Sequence, residues 1–344
     1  MSTPGVADQF QHGPLDGSIL SVIAVVIPCH RVRQQIASVL ASIGPEVAQI
    51  WVVDDACPEK TGELVAATVS DPRVRIIRHT LNQGVGGAVV SGYKAAIAAG
   101  ATIIVKLDGD GQMDASMIPQ LVEPVIAGMA DYTKGNRFFD VTDAANMPAV
   151  RKIGNLALSF LTKLSSGYWG VFDPTNGFTA IHATAAALLP FDKISRRYFF
   201  ESDMLFRLGT IDAVVCDIPM TAKYAGEQSG IRIASVLPEF TVNNLRNFAK
   251  RIVYSYFLRD FNLASIELLL AALLLTFGTV FGVYEWNRSS RTGTPASAGT
   301  VMLSALPILL GAQLLIAFLN YDVTRAPQIP IHRRTRRTSA HGRR

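Results

Sequence analysis

Residues 101–114 read ATIIVKLDGDGQMD. A short apolar run that breaks into Gly and Asp reads as a buried strand ending in a turn. Asp108 and Asp110 stand two apart on that turn, with glycine on either side of Asp110, so both carboxylates can point into one cleft. Alone they repel, and a hard divalent cation is their natural neutraliser. Gln112 adds a neutral oxygen at the next alternate position. An all-oxygen set of this kind suits Mg2+ or Mn2+ and not zinc. A plain Asp-Gly surface turn is the competing reading of these residues taken by themselves.

Upstream, the same alternation repeats. ILSVIAVVIP (19–28), QIWVVDD (49–55) and VRIIRH (74–79) read as strands, and VRQQIASVLASIG (32–44), EKTGELVAATVS (59–70) and GAVVSGYKAAIAAG (87–100) as helices. Strand–helix–strand repetition with continuously apolar strands implies an α/β fold built on a mostly parallel sheet covered on both faces. Ligands of such sheets bind beyond the carboxyl ends of the strands. That edge collects Pro28, Cys29 and His30 after the first strand, Asp54 and Asp55 after the second, NQGVGGA (82–88) after the third, and Asp108–Asp114 after the fourth. The Gly-rich turn lacks the GK[ST] of a phosphate loop, and it follows a third strand, which excludes the dinucleotide fingerprint. Its small residues suit either close approach to a phosphate or helix packing alone.

The chain has 344 residues, 49% hydrophobic and 17% charged, with a mean hydropathy of +0.27. An average soluble domain is roughly 25% charged, so a disordered or wholly water-soluble protein is a poor fit. The net charge of +5 suggests a nucleic-acid partner until it is mapped. Six of the arginines lie in the last fourteen residues, IHRRTRRTSAHGRR, which hold no acid; the body is close to neutral and no nucleic-acid partner is expected. Three cysteines without CxxC spacing make a disulfide framework or a zinc site a poor fit. Residues 1–18 are polar and read as a disordered tail.

The apolar surplus sits late. Leu268–Tyr284 and Ala298–Tyr321 carry no charge, and a membrane-spanning helix needs about 17–25 such residues. We expect spans at 263–285 and 299–321 joined by an outer loop at 286–298. Arg246, Lys250, Arg251 and Arg259 before the spans, and the Arg-rich tail at 322–344 after them, place both termini in the cytoplasm. Between domain and spans, residues 236–262 repeat Leu245, Phe248, Ile252 and Tyr256 at helical spacing, which suits an amphipathic helix in the membrane interface.

The ordered set VVIPCHRV, VVDDACPEKT, NQGVGGAVVSGYKAA, KLDGDGQMDASMI, KGNRF, DPTNGFTAI and YFFESDML resembles the family-2 glycosyltransferases of GT-A fold, nearest to the dolichol- and polyprenyl-phosphate sugar synthases. The resemblance covers about residues 19–235. It implies that Pro28, Asp54 and Asp55 line the nucleotide pocket. Asp108, Asp110 and Gln112 hold the Mg2+ or Mn2+ that bridges the donor diphosphate. Arg137 lies near the donor and acceptor phosphates, Arg151 grips the lipid phosphate, and Asp173 with Asn176 and Gly177 form the acceptor-side loop. Glu201 and Asp203 lie near the sugar, so that Asp110, Asp203 and Arg137 carry catalysis. The family's late basic loop reads AKYAGEQSGI here (222–231), where Lys223 can supply the cation.

The implied reaction is inverting transfer of a sugar from a nucleotide sugar to a polyprenyl phosphate, by a multi-pass enzyme of the cytoplasmic membrane. Two alternatives stand beside it: a family-2 enzyme acting on a saccharide, and a non-catalytic membrane scaffold. A homo-oligomer stays open.

Overall fold

The computed structural model describes residues 21–137, 149–220 and 233–334; in the helix that begins at Ala149 the side chains of 149–153 and 155 lie outside the description, as do those of 233–236. The chain divides into two compact units. One comprises Met1–Gly135, Gly177–Leu188 and Pro330–Arg344, the other Asn136–Asn176 and Leu189–Ile329.

In the first unit, strands β1 (Ile23–Cys29), β2 (Val47–Asp54), β3 (Val74–Arg78) and β4 (Ile103–Lys106) alternate with helices α1 (Ile36–Ala41), α2 (Thr61–Thr68) and α3 (Val85–Ala98). After β4 come α4 (Ile118–Ile126), β5 (Tyr132–Asn136), β6 (Thr179–His182) and α6 (Ala183–Ala187). Spatial order is β3-β2-β1-β4-β6-β5. The first four strands pair parallel, while β6 runs antiparallel to both β4 and β5. The mostly parallel α/β sheet is as expected, and its order reverses beside β1, which makes the carboxyl ends of β1 and β4 the switch point where such sheets bind ligands. β1 and β4 are buried almost throughout. The small residues of α3 have a steric reason: a Cβ at Gly92 would collide with the Val26 side chain, so α3 lies hard against β1.

The second unit holds α5 (Ala149–Ser166), α7 (Phe200–Thr210), β7 (Val215–Pro219), α8 (Ile233–Val253), α9 (Leu263–Thr292) and α10 (Ala298–Thr324). Two of these helices, α9 and α10, are long and apolar enough to cross a membrane. They run beyond the uncharged stretches that announced them. α9 continues past Trp286, Arg288 and Arg291 to stop at Gly293, where φ is 69°; the expected outer loop shrinks to residues 293–297. Ser304 Oγ donates to the Gly278 carbonyl (2.9 Å), a polar tie between two helices in close contact.

The amphipathic helix also differs from its expected form. α8 ends at Val253, and a π-helical turn, Tyr254–Leu258, follows. Tyr256 is 1% exposed and packs with Ala264 and Phe318, with Ile252 beside them. The stripe read as one lipid-facing surface thus splits: its end is core. Among the described residues of α8, the exposed large apolar ones are Val242, Leu245 and Val253, while Asn244, Asn247 and Arg251 are buried.

Candidate active site

Four strand ends place the donor-side residues in the first unit. Asp54 ends β2, and its carboxylate accepts from the Cys57 amide (2.7 Å) and the Gly62 amide (2.6 Å). It therefore shapes the turn into α2. Asp55 is 2% exposed and accepts from the Gln83 and Gly84 amides, each at 2.8 Å, so it ties the Gly-rich turn to β2. His79 Nδ1 lies 2.7 Å from Asp55, and His79 Nε2 lies 2.9 Å from Ser91 Oγ. The Asp55–His79–Ser91 line was not legible in advance, because these residues are scattered over three elements. Pro28 sits near the end of β1, one position before Cys29.

At the end of β4, Asp108 and Asp110 are partly exposed. The Asp110 carboxyl is raised above the usual range, chiefly by burial; the Asp108 charge adds to this, against an opposing hydrogen bond from the Gln112 amide. That bond is 3.0 Å long, and Gln112 itself is exposed. A desolvated carboxyl beside a second carboxylate at a switch point is an environment that a cation relieves. Among the described residues no group of three or more His, Cys, Asp or Glu side chains stands together. The pair thus fits a hard ion that keeps water or substrate oxygens as most of its shell, in the manner of Mg2+.

Lys106 is a residue that the sequence reading passed over. It is 1% exposed, and its Nζ lies 2.8 Å from Asp108 Oδ1. One signal was available: a lysine inside an apolar strand is almost never buried without a partner. Gly177 closes over this pair. A Cβ there would collide with Lys106 Nζ and lie 2.7 Å from Asp108 Oδ2, which explains the glycine of DPTNGF.

In the second unit, Arg137 is held by Asp173 through Nε (2.8 Å) and Nη2 (3.2 Å), and the Arg137 amide donates to the same carboxylate (3.3 Å). Asp173 is fully buried, whereas the Arg137 side chain is 35% exposed. The arrangement is a clamped guanidinium with an accessible edge. Asn176 is buried and donates to Met220 Sδ (3.0 Å). Asp203 is also buried, and both its oxygens are engaged, by the Ser195 amide and by Asn247 Nδ2, each at 2.9 Å. The Asn247 bond joins α7 to α8. Arg151 lies in the first turn of α5 with its side chain outside the described residues, and Lys223 lies outside them altogether.

The glycosyl transferase family 2 model matches residues 24–188. An uncharacterized protein of Methanocaldococcus jannaschii is 32% identical over 221 residues, covering 64% of this chain and 88% of that protein. The chain belongs to glycosyl transferase family 2. Among its relatives, the UDP-N-acetylglucosamine–dolichyl-phosphate N-acetylglucosaminyltransferase of Methanococcus voltae is 28% identical, covering 64% of this chain and 93% of that one. The undecaprenyl-phosphate mannosyltransferase of Micrococcus luteus is 28% identical over 58% of this chain and 82% of its own. A crystal structure of glucosyl-3-phosphoglycerate synthase from Mycobacterium tuberculosis, in complex with Mn2+, UDP and glucosyl-3-phosphoglycerate, aligns at 20% identity with a TM-score of 0.49, over 67% of this chain and 80% of that one. The protein is thus a glycosyltransferase whose relatives include enzymes acting on polyprenyl phosphates.

Proposed function

We propose that this chain is a membrane-anchored, metal-dependent glycosyltransferase that moves a sugar from a nucleotide sugar to a polyprenyl phosphate at the cytoplasmic face, inverting the anomeric carbon. One observation carries the reading: a family-2 chain combines a desolvated Asp110 beside Asp108 with two helices of spanning length. The named relatives support the acceptor class.

Asp108 and Asp110 would hold Mg2+ or Mn2+, with Gln112 beside them. When bound, such an ion offsets charge that develops on a departing diphosphate. Lys106 fixes Asp108 by one oxygen and leaves the other for the ion. Asp54 and Asp55 build the two turns, α2's entry and the Gly-rich one, that frame the nucleoside, with Pro28 at the strand end. Arg137, set by Asp173, presents a cation to a phosphate, and Arg151 and Lys223 add to it. The acceptor phosphate is already anionic near neutral pH, so it needs orientation more than a strong base. Its oxygen forms the new bond to the anomeric carbon while the bond to the diphosphate breaks. Asp203, bonded inside its own unit, is assigned to holding α7 against α8. The cationic flanks of the spans support the cytoplasmic orientation.

The test uses purified full-length protein in vesicles with undecaprenyl phosphate, Mg2+ and a panel of radiolabelled nucleotide sugars. Label is expected in solvent-extractable lipid, and Asp110→Ala is expected to lower the rate by about 100-fold or more, the scale on which charge stabilisation acts. Label entering a water-soluble saccharide instead would overturn the acceptor assignment. Full activity of Asp110→Ala would overturn the metal site.

A further inference from the structure

Exposure divides α10 into two faces. Gly311, Phe318 and Asp322 are buried. A Cβ at Gly311 would lie 3.0 Å from the Leu275 backbone nitrogen of α9. Phe318 packs with Tyr256 and Ala264. Asp322 accepts from Arg251 (2.6 and 3.0 Å), from the Tyr256 hydroxyl (2.6 Å) and from Trp169 Nε1 (3.0 Å). The chain's own residues close this face.

The opposite face is open. Leu306, Leu309, Gln313, Ile316, Asn320 and Val323 are all exposed. Gln313 stands two residues after Gly311, about 200° round the helix from it. The six follow one another at spacings of 3, 4, 3, 4 and 3 residues, which is a heptad seam with Leu306, Gln313 and Asn320 at its a positions and Leu309, Ile316 and Val323 at its d positions. Pro307 precedes all but the first of them, and α10 runs through it as one helix.

Gln313 decides what covers this seam. It lies nine positions before Asp322, the first charged residue after the uncharged run Ala298–Tyr321. That is about 13 Å along the axis on one side, and Ser297 lies about 24 Å away on the other. A glutamine side chain does not reach water over such distances. Its carboxamide makes no hydrogen bond among the described residues, and an unmet amide is costly in hydrocarbon. α9 carries no Asn or Gln from Leu263 to Trp286, so the demand belongs to α10 alone.

The chemistry of the carboxamide selects the partner. It holds both donors and an acceptor, so two glutamines facing each other across a two-fold axis satisfy one another. Copies of one chain cross a membrane in the same direction, so two α10 helices meet parallel. In a parallel pair each a position meets its own counterpart, and a polar residue there fixes register and oligomer state. Gln313 then faces Gln313, and Asn320 faces Asn320 one heptad further on. The seam holds no charge, so identical faces do not repel. Amide side chains are a known glue between helices in lipid.

We propose that the exposed seam of α10 is a homodimer contact inside the membrane, with a second copy of this chain as its occupant and the Gln313 carboxamides bonded to each other. This rests on the spanning reading of α9 and α10.

The experiment uses the full chain in two forms. For cross-linking, single cysteines are placed at Leu309→Cys and Ile316→Cys on the seam and at Leu273→Cys on the exposed side of α9. The background is Cys216→Ser, since Cys29 and Cys57 are buried. Membranes of the expressing cells are oxidised with copper phenanthroline. Disulfide-linked dimer is expected at 309 and 316 at about five-fold or more the level at 273. For affinity, copies labelled at native Cys216 with donor or acceptor dye are reconstituted in phosphatidylcholine vesicles over a range of protein-to-lipid ratios. Gln313→Leu is expected to need about three- to tenfold more protein per lipid for half-maximal energy transfer, while Gln313→Asn stays nearer to wild type. Equal cross-linking at all three positions, or energy transfer unchanged by Gln313→Leu, overturns the proposal. Cross-linked product at a mass other than twice that of the chain shows a different protein on the seam and also overturns it. A membrane-impermeant maleimide separates the two readings. Cysteines 273 and 309 that resist it but give no dimer leave the spanning reading standing and sink the dimer. Ready reaction at both sinks the spanning reading and the dimer with it.

Discussion

Lys106 enters the sheet inside the apolar strand β4 and is 1% exposed, yet its ammonium sits on Asp108. The motif that reads as two bare carboxylates therefore carries one built-in positive charge. A unit charge a few ångströms from a divalent ion repels it by several kcal/mol even at an effective dielectric constant of about 20. Lys106→Met is expected to tighten Mn2+ binding to the free enzyme by about tenfold or more, while Lys106→Arg keeps it near wild type. Electron paramagnetic resonance titration of Mn2+ reads this without turnover. The raised Asp110 carboxyl sets a second outcome. Its protonated form persists to higher pH than that of an ordinary aspartate, so protons compete with Mn2+ earlier as pH falls. Calorimetric titration of Mn2+ across mildly acidic pH should show affinity dropping from a higher pH than for a free aspartate. The two carboxylates were legible in the sequence because i and i+2 after a strand is a local pattern. Lys106 was not, because its partner is fixed only once β4 is seated and Gly177 is brought across it.

At the scale of elements, the repeat of apolar strands and helices told β1 to β4 from residue order alone, since each strand's burial is written in its own side chains. The antiparallel β6 and the inward turn of Tyr256 depend on packing partners far along the chain and left no local signature. The same holds for the contact of DPTNGF with β4. Gly177→Ala forces a Cβ onto the Lys106–Asp108 pair, and overpacking of this kind costs about 1–3 kcal/mol. Chemical denaturation should show that loss, accompanied by weaker Mn2+ binding. The join of α8 to α10 is more exacting. Arg251 and Asp322 are both buried, and removing one partner of a buried pair costs about 3–5 kcal/mol because a charge is left without compensation. Asp322→Ala is expected to lose that much in thermal unfolding of detergent-solubilised protein, whereas Trp169→Phe, which deletes one hydrogen bond to the same carboxylate, should lose about 1 kcal/mol.

For the molecule as a whole, the chain after α10 returns to the first unit. Asp131, fully buried just before β5, accepts from the Ile331 amide (2.9 and 3.0 Å to its two oxygens) and from His332 Nδ1 (2.9 Å). His332 stacks on His182 of β6, with ring centroids 4.3 Å apart, and Arg333 donates to the Ala127 carbonyl (2.8 Å). The hydrogen bonds among these contacts join residues about 200 positions apart, which is why the terminal stretch read as no more than a basic tail: charge is visible in a sequence, and a docking site for it is not. The consequence is topological. A segment that follows α10 can reach the sheet only if both lie on one side of the membrane, which supports the two-pass reading with an even number of crossings between them. It also makes the return a structural tie, since an emptied acceptor at Asp131 would leave buried donors unmet at a cost of about 1–3 kcal/mol each. Asp131→Ala and His332→Ala are each expected to lower the unfolding temperature. In the double variant the two losses should fall short of adding by about 0.5–3 kcal/mol, the coupling of residues in direct contact. Strict additivity in that cycle would show that the tie contributes nothing as a unit and that the return of the chain is held elsewhere.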